Sequence, residues 1–78
     1  MEFEDYLREH YNLGEKSVKD YVGRLNGLLT RGIYKGEPRL TSKMESSINR
    51  EYKENSRKNY LLTIKYYIEF LEKKDQLR

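Results

Sequence analysis

The sequence predicts an all-α fold, a bundle of four helices that pack as two helical hairpins. Apolar residues recur at intervals of three and four in four separate segments, which is the period of a helix with one buried face. No segment alternates apolar and polar residues with a period of two, so a β-sheet is not expected. The 78 residues suffice for one small domain, in which no helix could bury its apolar face alone.

The first two predicted helices are separated by a short turn that contains a glycine. The first apolar stripe covers residues 3–11, and we expect Gly14 to supply the backbone conformation that ends this helix. The second stripe runs from Val18 to Leu29, and we expect Gly32 to end it. Glycines and a proline then indicate a loop of about ten residues from Arg31 to Leu40.

The third predicted helix follows this loop and begins at a capping signal. Either Thr41 or Ser42 is expected as the N-cap, and Glu45 stands three residues after Ser42, where a capping box places its acidic member. The apolar face of this helix consists of Met44, Ile48 and Tyr52.

The fourth predicted helix runs from about Ser56 to Lys73, with Asn55 or Ser56 as its cap. Its main stripe consists of Tyr60, Leu61, Ile64, Tyr67, Ile68 and Leu71. A second stripe on the opposite side consists of Leu62, Tyr66 and Phe70. If exposed, this second stripe is a binding surface for a neighbouring domain or a partner protomer. The alternative is that loop residues Ile33 and Tyr34 bury it.

The residue types exclude several kinds of site. Cysteine is absent, which rules out thiolate metal sites and thiol catalysis and is typical of cytoplasmic proteins. The single imidazole, His10, falls on an apolar face, where packing is expected instead of catalysis or metal binding. No phosphate loop, dinucleotide motif or zinc spacing is present, so no cofactor is expected. The N-terminus is acidic and uncharged runs are short, so neither a secretion signal nor a membrane span is predicted.

Charge is distributed unevenly along the chain. Residues 1–15 carry a net charge of −4, residues 16–65 a net charge of +7, and residues 66–78 none. A concentrated basic region is typical of a protein that binds a polyanion such as DNA. The alternative is ordinary solvated surface, because lysine and arginine are common on exposed helices.

Two groups of polar residues on the predicted helices are candidate DNA contacts. In the second helix Gly23 and Gly27 lie opposite the core stripe. Either this flat face approaches a DNA backbone, or the glycines permit close packing against another protein segment, or they are merely tolerated. At the start of the fourth helix, cations oppose the helix dipole and therefore need another reason to be there. The candidate residues are Lys16, Ser17, Lys19, Arg24, Ser56, Arg57, Lys58 and Asn59.

Several segments resemble the N-terminal core-binding domain of tyrosine recombinases, the phage integrase family, whose fold is called SAM-like. FEDYL at residues 3–7 is similar to the first helix of that domain, and EKSVKDYVGRL at residues 15–25 is similar to the second. SRKNYLLTI at residues 56–64 and YIEFL at residues 67–71 are similar to the last helix. The resemblance implies a four-helix domain that clamps one side of a DNA site while a separate domain cleaves the strands.

In this family the second and fourth helices face the major groove of double-stranded DNA. The resemblance carries this role to Lys16, Ser17 and Lys19 and to Ser56, Arg57 and Lys58. Asp20 departs from the pattern, since it repels phosphate unless it pairs with Lys16 or Arg24 or accepts from a cytosine amino group.

The catalytic Arg, His and Tyr of the family have no counterpart here, so we expect a non-catalytic DNA-binding module. Its expected partners are double-stranded DNA and either its own catalytic domain or another recombinase protomer. The rival interpretation is a protein-interaction module that uses Leu62, Tyr66 and Phe70, with DNA binding incidental.

Overall fold

The computed structural model describes residues 2–76, with side chains from Phe3 to Lys74. Its four helices are α1 (Glu2–Tyr11), α2 (Glu15–Thr30), α3 (Ser42–Glu51) and α4 (Glu54–Gln76), and the described residues contain no strand. The prediction of an all-α four-helix bundle is confirmed. α1 packs on α2, and α3 packs on α4, as the two predicted hairpins require.

The turn between α1 and α2 depends on Asn12 and not on Gly14. Asn12 adopts a left-handed conformation with φ of 52°, which asparagine tolerates better than most residues. Gly14 is extended, with φ of −72°, and serves as the N-cap of α2. The expectation that Gly14 ends α1 is therefore wrong. Arg8 closes this turn, because its Nε and Nη2 atoms donate to the Glu15 carboxylate at 2.7 and 3.0 Å.

Gly32 ends α2 as predicted. Its φ is +72°, and its N–H donates to the Leu29 carbonyl while the Ile33 N–H donates to the Leu28 carbonyl. This pair of bonds is a Schellman motif, in which glycine takes the left-handed position at low steric cost. The motif turns the loop back, so that Ile33 and Tyr34 are buried in the core.

Of the two remaining helices, α3 has one of its two predicted caps, Thr41, and α4 has neither of its predicted caps. Thr41 caps α3, since its side chain accepts from the Met44 N–H at 3.2 Å, so the capping box from Ser42 does not form. α4 begins at Glu54, two residues earlier than predicted. Ser56 consequently lies inside the first turn, half-buried, where its N–H donates to the Lys53 carbonyl at 2.9 Å. Its predicted role as the N-cap is wrong.

α4 is the central helix and packs against α1, α2 and α3. For this reason its second apolar stripe is not an outward face. Phe70 is 7% exposed and lies 5.6 Å, centroid to centroid, from the rings of both Phe3 and Tyr6 in α1. Leu62 and Tyr66 are half-buried. The expectation of an exposed stripe is therefore wrong. Phe70 is covered by α1, whereas the expected alternative was that the loop would cover it.

Candidate nucleic-acid interface

α2 and α4 lie side by side and run in opposite directions. Tyr21, near the start of α2, packs against Tyr66 in the second half of α4, with ring centroids 5.3 Å apart. At the other end of α2, the Tyr52 hydroxyl lies 3.8 Å from the position that a Cβ would take at Gly27. Tyr52 in turn stacks on Tyr60 of α4, with ring centroids 3.7 Å apart. The start of α4 therefore lies level with the end of α2.

This antiparallel register separates the predicted DNA-binding residues into two groups. Lys16, Ser17 and Lys19 lie at the start of α2, level with the second half of α4. Residues 56–59 lie near the end of α2, and Arg24 falls between the groups. At 1.5 Å per residue, the groups are about 17 Å apart along the helix axis. They form two basic sites on neighbouring helices and not one compact patch.

The group at the start of α2 is open to solvent. Lys16, Ser17 and Lys19 are all exposed. Among the described residues, Lys16 forms no ion pair, and neither does Asp20, so the pairing of Asp20 with Lys16 or Arg24 is not observed. The start of α2 therefore presents unpaired charges of both signs.

The middle of α2 is flat beside Arg24. A Cβ at Gly23 would meet no atom within 4 Å, so close packing is not the reason for this glycine in the described structure. A Cβ at Gly27 would make only ordinary van der Waals contact. The Arg24 guanidinium lies 5.3 Å from the centre of the Tyr21 ring, a cation–π contact that holds the charge beside this flat surface.

The group at the start of α4 is divided between a structural residue and exposed ones. Arg57 Nε donates to the Tyr52 carbonyl at 3.0 Å, and Arg57 Nη2 donates to the Asn49 carbonyl at 2.8 Å. These bonds satisfy carbonyls at the end of α3, a role that the sequence did not indicate. Lys58 and Asn59 are exposed, and Lys58 forms no ion pair within the described residues. Lys58 and Asn59 are therefore the side chains of this group that are available to a ligand.

Arg31 belongs to the same surface, although it was not among the predicted contacts. Its guanidinium lies 5.2 Å from the centre of the Tyr52 ring, and its Nη1 lies 3.2 Å from Glu51 Oε1. Arg31 follows Arg24 by seven residues, so the two lie on one face of α2 about 10 Å apart. The seven-residue spacing from Arg24 is the signal in the sequence that would have identified Arg31 as a candidate contact.

An open cleft of about 380 Å³ adjoins Arg31 between the end of α2 and α3. It is lined by Arg31, Gly32, Ile33, Ser47, Arg50 and Glu51. We refer to it as the Arg31 cleft.

The charges are separated in space as well as along the chain. Residues 31–58 contain eight Lys and Arg residues and four Glu residues, a net charge of +4. This segment comprises the loop, α3 and the start of α4. The acidic residues of the first fifteen positions lie on α1 and at the start of α2, and α1 makes no contact with α3. The molecule therefore has a basic end and an acidic end.

Several of the tyrosines are structural groups whose pKa values are raised. Tyr6 and Tyr11 both donate to the Glu69 carboxylate. Burial, reinforced by this carboxylate, raises the pKa of both phenols above the ordinary value. Burial also raises the pKa of Tyr21 and Tyr52. A tyrosine nucleophile needs the opposite shift, so these phenols are not activated as nucleophiles.

The remaining candidate chemistry is limited. His10 is exposed and its ring packs on Tyr6, with centroids 4.3 Å apart, so it lies at the edge of the apolar face and not within it. Among the described residues, no group of three or more His, Cys, Asp or Glu side chains could hold a metal ion. None of the helices, over the part of the chain that the structure describes, has the length and hydropathy to cross a membrane.

No protein-family model, curated protein or solved structure matches this chain.

Proposed function

We propose that the chain is a DNA-binding module of a phage-integrase-type site-specific recombinase. It holds one side of a duplex site with α2 and α4, while a separate domain cleaves the strands. The observation that carries the proposal is the set of exposed cations on α2 and at the start of α4, which lie on other helices than the acidic α1, since separated charge orients a small module on a polyanion. The recombinase assignment depends on the resemblance of residues 3–7, 15–25, 56–64 and 67–71. A cytoplasmic location, with access to DNA, is part of the proposal.

The spacing of the two basic groups suits a duplex. B-DNA rises about 3.4 Å per base pair, so groups about 17 Å apart along α2 reach backbone positions about five base pairs apart. Lys16 at one end and Lys58 at the other each supply an unpaired charge to a phosphate. Arg24 lies between them on the same helix pair. One face of the module thus contacts the backbone at several points.

Phosphate contacts supply most of the affinity in this proposal, and few residues read bases. Ser17 and Asn59 are uncharged hydrogen-bonding side chains beside the proposed phosphate contacts, and both are exposed. Asparagine pairs in bidentate fashion with an adenine edge, and serine pairs with several bases. Asp20 adds an acceptor for a cytosine amino group. The isolated module therefore binds duplex weakly and with low sequence preference.

The salt dependence of duplex binding tests this surface. Fluorescence anisotropy with a labelled duplex at several NaCl concentrations gives the slope of log K against log [NaCl]. Lys16→Ala and Lys58→Ala should each flatten this slope by about 0.9, the value for one lost phosphate contact. Lys73→Ala makes the same change of charge at an exposed position in the last turn of α4 and should leave the slope unchanged.

Equal slopes in all four proteins would overturn the proposed surface. Absence of duplex binding by the wild-type protein at 20–50 mM NaCl, where such contacts are strongest, would overturn the proposed function itself.

A further inference from the structure

We propose that the Arg31 cleft is a binding site for one phosphate of the DNA backbone, and that Glu51 occupies it when DNA is absent. Arg31 and Arg50 are the proposed donors. The inference rests on the proposed function, because it commits the phosphate to a DNA strand.

The geometry that carries the proposal is one carboxylate shared by two guanidinium groups. Arg31 Nη1 lies 3.2 Å from Glu51 Oε1, and Arg50 Nε lies 3.8 Å from Glu51 Oε2. Each oxygen of Glu51 therefore faces a different arginine at the edge of an open cleft. A phosphate group presents the same two negatively charged oxygens with the spacing that arginine side chains bind.

The two ion pairs of Glu51 are of a kind that a phosphate can replace. The side chains of Arg31, Glu51 and Arg50 are 52%, 40% and 73% exposed. Ion pairs this exposed contribute little to the stability of the fold, so their exchange for a phosphate costs the protein little. Ser47 lines the same cleft and adds a neutral hydroxyl donor.

The cleft is continuous with the proposed DNA surface. Arg31 packs on the Tyr52 ring, which stacks on Tyr60 one turn after Ser56 and Arg57. Arg24 lies on the same face of α2, about 10 Å away. A strand that contacts Arg24 and Lys58 therefore passes close to the cleft, and a phosphate at that point replaces the Glu51 carboxylate.

Removal of the competing carboxylate tests this exchange. Glu51→Gln keeps the shape of the side chain and removes its charge, and it should tighten duplex binding about fivefold at 50 mM NaCl. Glu45→Gln makes the same change of charge on α3 at an exposed residue that forms no ion pair in the described structure, and it should have a smaller effect. Arg50→Ala should weaken binding and flatten the salt slope by about 0.9. Thermal unfolding of each variant establishes that it is folded.

The outcomes separate failure of this inference from failure of the proposed function. If wild-type protein binds duplex but Glu51→Gln and Glu45→Gln tighten binding equally, the cleft proposal is overturned and the proposed function stands. If duplex does not bind at all, the proposed function fails. A separate titration with inorganic phosphate identifies the source of the bound phosphate. The Nε–Hε signals of Arg31 and Arg50 in the wild-type protein are followed by NMR, first with free phosphate and then with duplex. Shifts of these signals with free phosphate but not with duplex would overturn the commitment to DNA.

Discussion

Tyr34 shows at the level of one residue why a loop in this chain is ordered. It is the largest of the fully buried side chains, although it lies two residues after Gly32 in a segment without helical periodicity. Its hydroxyl donates to the Glu37 carbonyl at 2.9 Å, and its ring meets the edge of Tyr67 with centroids 5.8 Å apart. From the sequence, Ile33 and Tyr34 were expected only as the alternative that buries the second stripe of the fourth helix. Burial of a loop residue depends on non-local packing, which the sequence pattern does not show.

The pKa of Tyr34 predicts a loss of stability in alkali. Burial, with smaller contributions from Tyr67 and Glu37, raises this pKa to about 12 from an unfolded value of 10.0. Because the folded pKa is the higher one, the contribution of Tyr34 is fully present below pH 10 and is lost as pH rises to 12. The loss should be about 1.4 kcal/mol at pH 11 and approach about 2–3 kcal/mol above pH 12.

Urea unfolding at pH 8 and pH 11, on the wild-type protein and Tyr34→Phe, measures this contribution. The variant lacks the titrating group and should lose less stability between the two pH values. An equal loss in both proteins would assign the alkaline transition to other groups.

At the scale of the helices, periodicity predicted the number and order of elements correctly. It failed where a helix has more than one partner. α4 packs on three helices, so its apolar residues cover more of its circumference than a single stripe would. For this reason Phe70, on the second stripe, is part of the core. Capping was less predictable. Thr41 caps α3 as one of the two predicted alternatives, but Gly14 caps α2 without a side chain, and the cap signals at Ser42 and Ser56 are not used.

The junction between α3 and α4 depends on Arg57. Its two side-chain hydrogen bonds, to the carbonyls of Asn49 and Tyr52, close the end of α3. Arg57→Ala should lower the free energy of unfolding by about 1–3 kcal/mol, the range for hydrogen bonds that involve a charged group. Urea denaturation measures the change.

Lys58→Ala is the control for this variant, since Lys58 is the next residue and is exposed. It should change stability by no more than about 0.5 kcal/mol. If the two variants are equally stable, Arg57 does not secure the junction and is free to serve as a DNA contact, as the sequence indicated.

For the whole molecule, the residues of the candidate interface were predictable but their arrangement was not. The charge of each segment follows from the sequence, and so do exposed cations such as Lys16 and Lys58. The distance between them depends on the register of α2 against α4. That register is set by contacts far apart in sequence, such as Tyr21 with Tyr66. The commitment of Arg57 to α3 and of Glu51 to Arg31 and Arg50 likewise depends on tertiary structure.

The central claim is that the exposed face of α2 together with the start of α4, and not α1, faces DNA. Backbone amide shifts in two-dimensional NMR, recorded on the wild-type protein as a duplex is added at 50 mM NaCl, test it most directly. We predict shifts along the exposed face of α2, at residues 55–59 and around the Arg31 cleft, with α1 unchanged. Shifts confined to α1, or to the Leu62 and Tyr66 side of α4, would contradict it.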